Sequence, residues 1–341
     1  MPDQLVSVVV PAYNSERTIG ETLHSVRSQT HQNLEIIVVD DGSTDATAAI
    51  VRIHKASDDR IRLIEQNNAG VAAARNAGAE QARGEFLAPI DADDLWDPRK
   101  IAKQLEAFAR SPPTVGVVYT WFALLDEESR IIHTKHRPDY AGHVLPNLAE
   151  FNFVGNGSSP LIRLDAFRQT AGYDPTLKAR GGQGCEDWKL YCELAERVEY
   201  AFVGEHLTGY RTSPDNMSAN VVEMLRSRDF ATADLMVTHP ELRSRFRLGR
   251  NRLSRFMLHR AIRRRSVREI FALMVLIGTF DPRFLFATLA NLPSEVLDQL
   301  KSETVMPETK NRYFLRRAIS NRRRSMPADL ALEGSGRKPQ A

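Results

Sequence analysis

Leu34-Glu35-Ile36-Ile37-Val38-Val39-Asp40-Asp41-Gly42-Ser43-Thr44-Asp45 is the stretch on which the fold turns. A short apolar run rich in β-branched side chains, closed by turn residues, reads as a strand buried on both faces. The polar cluster behind it can cap a helix, and residues 46–55 supply one. Upstream, Val6-Ser7-Val8-Val9-Val10 stops at Pro11 and reads as a second buried strand. A helix follows to about residue 29, with Ser15 as the expected N-cap and Ile19, Leu23 and Val26 on one face. Downstream come a strand at 61–65, an Ala-rich helix at 70–81 and a strand at 85–90. That strand ends in Asp91-Ala92-Asp93-Asp94. The β-α-β-α-β-α-β order predicts a parallel sheet with right-handed crossovers. Such sheets bind ligands outside the carboxyl ends of their strands. Pro11 to Asn14, Asp40 to Asp45, and Asp91 to Asp94 all fall there.

Beyond residue 95 the pattern predicts a strand at 115–123 and a polar hairpin over 125–144, whose His133, His136 and His143 are solvated. A loop at 155–160, a strand at 161–163 and a helix at 165–170 follow. Residues 179–184 (ARGGQG) read as a flexible loop. A helix is expected at 186–197, with Trp188, Leu190, Tyr191 and Leu194 on its apolar face, and a strand at 200–203.

The chain has 341 residues, which suggests about two domains. Hydrophobic content of 42% and charged content of 26% are globular values and exclude disordered, collagen-like and coiled-coil classes. Two cysteines, Cys185 and Cys192, exclude a disulfide scaffold and a Cys-type zinc site, and suggest a reducing compartment. The net charge of +3 hides an asymmetry. Residues 1–220 carry 22 Lys+Arg against 31 Asp+Glu, and the remainder 24 against 12. No basic segment precedes the first apolar run, and the longest run, 270–280, is about half a bilayer span. The expectation is a cytoplasmic protein without a transmembrane helix.

Each polar cluster admits two readings. Asp91 and Asp93 at a strand end can chelate a hard divalent cation shared with substrate phosphates; equally, they can cap a helix starting near Asp94. Asp40-Asp41 can accept from a nucleobase or ribose, or form an Asx-turn. Arg75 is either a solvated helix residue or the partner of a carboxylate or pyrophosphate. Glu186 and Asp187 suit the first turn of a helix, where acids favour the macrodipole, or present a carboxylate to substrate behind a Gly-rich loop. Cys185, beside Glu186, is a poor nucleophile. The sequence lacks G-x-G-x-x-G after a strand, a P-loop, G-x-S-x-G and H-E-x-x-H, which removes the usual support for nicotinamide, Walker-type, serine-hydrolase and zinc-protease chemistry.

As an ordered set the clusters are specific. Val8-Val9-Val10-Pro11-Ala12-Tyr13-Asn14, Val38-Val39-Asp40-Asp41-Gly42-Ser43-Thr44-Asp45, Ala74-Arg75-Asn76-Ala77-Gly78, Asp91-Ala92-Asp93-Asp94 and Glu186-Asp187-Trp188 closely resemble the family 2 inverting glycosyltransferases over residues 5–215. The resemblance implies an α/β GT-A fold: a nucleotide-binding, mostly parallel sheet flanked by helices. It implies a catalytic domain at 1–220; the composition beyond, rich in helix formers and arginine and then in Pro, Gly, Ser and Lys, predicts a basic helical extension at 221–325 and a disordered tail at 326–341. The implied donor is a nucleotide sugar, a UDP-sugar by default, and the acceptor a glycan or lipid-linked hydroxyl in surface polysaccharide or glycolipid synthesis.

Carried over by residue, the resemblance puts Pro11, Tyr13 and Asn14 around the nucleotide, with Asp41 accepting from the base imide and Asp40 supporting it. Arg75 would lie near the base or diphosphate. Asp91 would reach the ribose or metal-bound water, and Asp93 would ligate Mn²⁺ or Mg²⁺. Asp187, with Glu186 beside it, would be the general base. One displacement inverts the anomeric centre and requires no enzyme nucleophile. Family members often carry a His near the position of Ser213, which puts metal or diphosphate contact from residues 210–216 in doubt. Other readings are a degenerate relative that binds glycan or membrane, and a nucleotidyltransferase, although the latter's N-terminal Gly-rich loop is missing.

Residues 243–268 hold eleven Arg and no Asp or Glu, interleaved with apolar residues at helical spacing. They suit an anionic membrane surface or a solvated face packed on the catalytic domain. Nucleic acid is not an expected partner, since no recognised module accompanies the charge. Residues 270–292 read as two apolar helices broken at Asp281-Pro282.

Overall fold

The computed structural model describes residues 4–134, 138–213, 217–291 and Phe314. β1 (Val6–Ala12), α1 (Ile19–Arg27), β2 (Leu34–Asp40), α2 (Thr47–Ala56), β3 (Ile61–Glu65), α3 (Val71–Glu80) and β4 (Phe86–Pro89) alternate as the apolar periodicity predicts. Every residue of β1 and β2 is buried. Val8, Val10, Ile36 and Val38 face one layer of the core, and Val9, Ile37 and Val39 face the other. Helices cover both faces, which is why these strands read as unbroken apolar runs.

β5 (Leu95–Trp96), α4 (Lys100–Arg110), β6 (Val115–Leu125), β7 (Ile131–Thr134), α5 (Leu145–Glu150), β8 (Leu161–Arg163), α6 (Leu164–Arg168), α7 (Thr176–Ala179), α8 (Glu186–Ala195) and β9 (Glu199–Arg211) complete the first part. The nine strands form one sheet, ordered β3-β2-β1-β4-β8-β6-β9-β5, with β7 on β6. The β3-β2-β1-β4 half is parallel, and β8 joins it antiparallel. Ala12 stands opposite Asp40, and Asp40 opposite Glu65. Val9 stands opposite Pro89. That register sets the three polar clusters side by side at the carboxyl edge.

Three local readings differ. Ser15 does not cap α1; its carbonyl accepts from the N–H groups of Thr18 and Ile19, and the helix starts at Ile19. Asp94 to Pro98 do not open a helix, because Leu95–Trp96 pair antiparallel with β9. β9 runs eight residues past Val203, since pairing with β6 and β5 carries it through Gly204, Glu205 and His206, with bulges at Trp121 absorbing the irregularity. Of the hairpin expected over 125–144, the structure has a turn after Leu125 and β7, which pairs back onto Ala123–Leu125 of β6, and His143 is exposed. His136 lies outside the described residues.

α9 (Val221–Thr238), α10 (Arg243–Arg263) and α11 (Val267–Phe280) follow. A further helix starts at 282, and Asp281 caps it by accepting from Phe284 N–H. Ala231, Leu235 and Phe246 join the same core cluster as Trp188, so that core crosses residue 220. Arg250 is fully buried in a two-point pair with Asp229, at 2.6 and 3.0 Å. Arg245 and Arg252 pair with Glu150 of α5. Much of the α10 charge is therefore tied to the protein itself. The expected tail at 326–341 lies outside the described residues.

Candidate active site

The strand ends are fixed to one another by their own side chains. Asn14, in left-handed backbone (φ 47°), donates its N–H to Ser43 Oγ and accepts from Thr44 N–H. Asp40 accepts from Ser43 N–H in the Asx-type turn. Asp41 is buried and accepts from Gln66 Nε2 and from the N–H groups of Ala69 and Gly70, at 2.7 to 2.9 Å. Three acceptor positions are thus used to hold the 66–70 loop, leaving about one for a ligand donor.

These elements border an open cavity of about 750 Å³. Pro11, Tyr13, Asn14, Asp41, Asp91 and Asp93 line it. Asp40, Arg75, Glu186 and Asp187 are not on its wall. Tyr13 is 51% exposed at the rim, an aromatic face free to stack on a planar ligand. Sequence reading missed Asn68, Lys178 and Gln183 on the same wall. Gln183 lies in the Gly-rich 179–184 loop, whereas Asn68 and Lys178 belong to no local pattern; the α7 region brings Lys178 within 2.8 Å of Asn68 Oδ1.

Arg75 is not on a solvated helix face. It is 3% exposed and donates to Asp91 Oδ1 at 2.5 Å and to Glu186 Oε1 at 2.8 Å. Tyr173 lies 5.1 Å from its guanidinium. Burial pulls the Arg75 pKa down, but Asp91 and Glu186 outweigh it and hold the group well above its ordinary value. The pair forms under the 155–160 loop. A Cβ on Gly157 would stand 2.6 Å from Arg75 Nη2 and 3.1 Å from Asp91 Oδ2, so any side chain there requires the guanidinium or the loop to shift. Ser158 Oγ receives Asp91 N–H and donates to Asp94.

The helix-cap reading of Asp91, Asp93 and Asp94 is set aside by these contacts. Asp94 is fully buried between Ser158 and Arg211 N–H, and α4 begins only at Lys100. Asp93 keeps its carboxylate toward the cavity, where it accepts no hydrogen bond from another described residue. Burial and the neighbouring Asp91 push its pKa up to about 7. Two neighbouring carboxylates, Asp91 held on one oxygen by Arg75 and Asp93 turned to the cavity, are donors that a hard divalent cation uses together with phosphate oxygens and water. Among the described residues no three His, Cys, Asp or Glu side chains form a metal cluster. Two carboxylates fit a cation that completes its shell from the ligand.

Arg211 and Ser213 reach the cavity wall, whereas Pro214, Asp215 and Asn216 lie outside the described residues. Arg211 donates to the carbonyls of Asp93 and Glu127 and to Glu21, each at 2.8 Å. It fastens the acidic turn.

At the start of α8, Glu186 accepts from Arg75 and from Gly184 N–H. Among the described residues Asp187 accepts only from the adjacent Trp188 N–H. Burial and Glu186 push the Asp187 pKa up to about 7. Burial likewise raises the Cys185 thiol, which makes it inert as a nucleophile.

Residues 7–168 match the model described as glycosyl transferase family 2. This part of the chain belongs to that family. The chain is 36% identical over 227 residues to chondroitin synthase of Escherichia coli, a match covering 66% of this chain and 32% of that protein. The chain spans about a third of the length of the curated relatives it matches over more than 200 residues. The fold is shared with S. aureus TarS 1-349 in complex with UDP-GlcNAc, at TM-score 0.57 and 17% identity over 81% of this chain and 80% of that one. It is also shared with the mannosyltransferase PcManGT of Pyrobaculum calidifontis in complex with GDP-Man and Mn²⁺, at TM-score 0.52 and 18% identity over 84% and 86%. The expected GT-A architecture is therefore present. Among the described residues no helix is long and apolar enough to cross a membrane.

Proposed function

We propose that this chain transfers a sugar from a nucleotide-sugar donor to an acceptor hydroxyl, with inversion and with a divalent cation at Asp93 and Asp91. The observation that carries the reading is the meeting of Tyr13, Asp41, Asp91 and Asp93 in one cavity at the carboxyl edge of β1, β2 and β4. Tyr13 stacks on the base and Asp41 accepts from its imide with its remaining lone pair. Arg75 holds Asp91 and Glu186 in place from behind. A bound Mn²⁺ or Mg²⁺ would supply charge neutralisation for the departing nucleoside diphosphate. Asp187, at a pKa near working pH, takes the proton of the attacking hydroxyl. The likeness to chondroitin synthase favours a polysaccharide or glycolipid acceptor. Peripheral contact with an anionic membrane is supported by α11, where Val267, Phe271 and Val275 are exposed at i, i+4 and i+8 beside the exposed Arg265.

The test is thermal stabilisation by UDP, GDP, dTDP and CDP, with and without Mn²⁺, on wild type and Asp93→Ala. A ligand bound to the native state raises its stability by mass action. One nucleotide should raise Tm in a manner that requires both Mn²⁺ and Asp93. A cooperative melt that no nucleotide moves would favour the degenerate binding module.

A further inference from the structure

A second cavity of about 730 Å³ opens beside the first, and nothing in the donor reading uses it. Its walls come from the start of α9 and from the α10–α11 junction. Arg226, Arg264 and Arg268 line it together with Glu223 and Glu269. Gln183 and Met217 line both cavities, so the two adjoin at these residues. The join is built in. A Cβ on Gly182 would stand 2.6 Å from Ser227 N, so the 179–184 loop lies directly on α9, four residues before Glu186.

The charges in this groove are unspent. Arg226, Arg264 and Arg268 are exposed, and none is ion-paired among the described residues. Arg264 donates to the Ala219 carbonyl through Nη1 alone. Burial and the adjacent Arg264 and Arg263 pull the Arg260 pKa down, a sign of how densely cations are packed here. Three guanidiniums without a carboxylate partner, set in a concave site, recognise carboxylate or phosphate in forked geometry. The two carboxylates on the same wall would repel a bare anion but accept well from sugar hydroxyls. Mixed walls of this kind match a polyhydroxylated chain that also carries negative charge.

We propose that the α9–α11 groove is the acceptor subsite and that it selects a glycan bearing anionic groups, carboxylate or phosphate, whose reacting end passes Gln183 toward Asp187. This rests on the donor-site reading above. The chain enters along the basic wall, and the guanidiniums set its register.

The experiment titrates the full chain with chitotetraose (neutral), tetragalacturonate (carboxylate) and maltotetraose phosphate by calorimetry. At least one charged probe should bind about tenfold or more tightly than the neutral one, as charge-assisted pairing to guanidinium implies. Which one does so identifies the anionic group. The Arg226→Gln/Arg264→Gln/Arg268→Gln variant should lose the preference while its Tm and its response to nucleotide with Mn²⁺ stay at wild-type values. Equal binding of all three probes overturns the proposal, as does a preference that survives the triple change. A triple variant that also loses its nucleotide response overturns it too, since the arginines would then serve the donor. A wild type that prefers charged probes but never responds to nucleotide supports the groove and sinks the donor reading alone.

Discussion

Arg75 and Glu186 stand 111 positions apart in the chain and are joined by a buried ion pair of 2.8 Å. The same guanidinium holds Asp91, so one cation links the acidic turn after β4 to the helix that carries the proposed base. Removing it leaves Asp91 and Glu186 without their shared cation, and Glu186 has almost no solvent to replace it. Arg75→Ala should cost roughly 3–5 kcal/mol of stability, the usual loss when a buried pair is broken from one side. Arg75→Lys should recover little, because one ammonium cannot reproduce the fork. Urea unfolding of both variants checks this, and a loss below about 1 kcal/mol would place the pair among ordinary surface bridges.

Gly157→Ala introduces a single methyl against Arg75 Nη2 and Asp91 Oδ2. Either the guanidinium or the loop must shift, and each alternative disturbs Asp91. Stability should fall by roughly 1–3 kcal/mol, the usual range for overpacking, and nucleotide stabilisation should shrink with it. Full retention of the nucleotide response would show that the loop yields without moving Asp91.

Asp187 makes pH a direct test. Its carboxyl rises from the ordinary value of 3.8 to about 7. A general base acts ionised, so kcat/KM should climb with pH through about 7 and then level. Stability should run the other way. Between about pH 4 and 7 the folded state keeps a proton that the unfolded chain has released, so stability falls as pH rises. Asp187→Asn should lower turnover roughly 100- to 10,000-fold, raise Tm at pH 8, and narrow its Tm advantage at pH 5. Near-normal turnover in the variant would remove Asp187 from the chemistry.

The exposed α11 stripe predicts binding to vesicles containing anionic lipid, but not to neutral ones, and release by salt. Val267→Ser/Phe271→Ser/Val275→Ser should abolish co-sedimentation without changing the nucleotide response. Equal recovery in the supernatant with both vesicle types would exclude this contact.

Much of the fold could be read from local pattern. β1 and β2 announce themselves because both faces of each are covered, and β3 runs from Ile61 to Glu65 as its residues suggest. The readings that fail lack such a signal. β5 is two residues long and exists only because β9 lies beside it. Asp94 sits in a run that fits a helix start, yet Ser158 and Arg211, 64 and 117 positions away, claim its carboxylate.

Local sequence settles which side chains stand at which strand ends, because alternation and burial act over a few residues. It therefore puts Tyr13, Asp41, Asp91 and Asp93 on one edge. Only the assembled chain buries Arg75 instead of leaving it solvated, and only there does Gly157 come within a methyl group's reach of Arg75 and Asp91. The assembled chain also pairs Glu186 with Arg75, and it sets α9 to α11 so that a second, basic cavity adjoins the first at Gln183 and Met217. Each of these depends on contacts between segments far apart in the chain, and local periodicity carries no information about such distances.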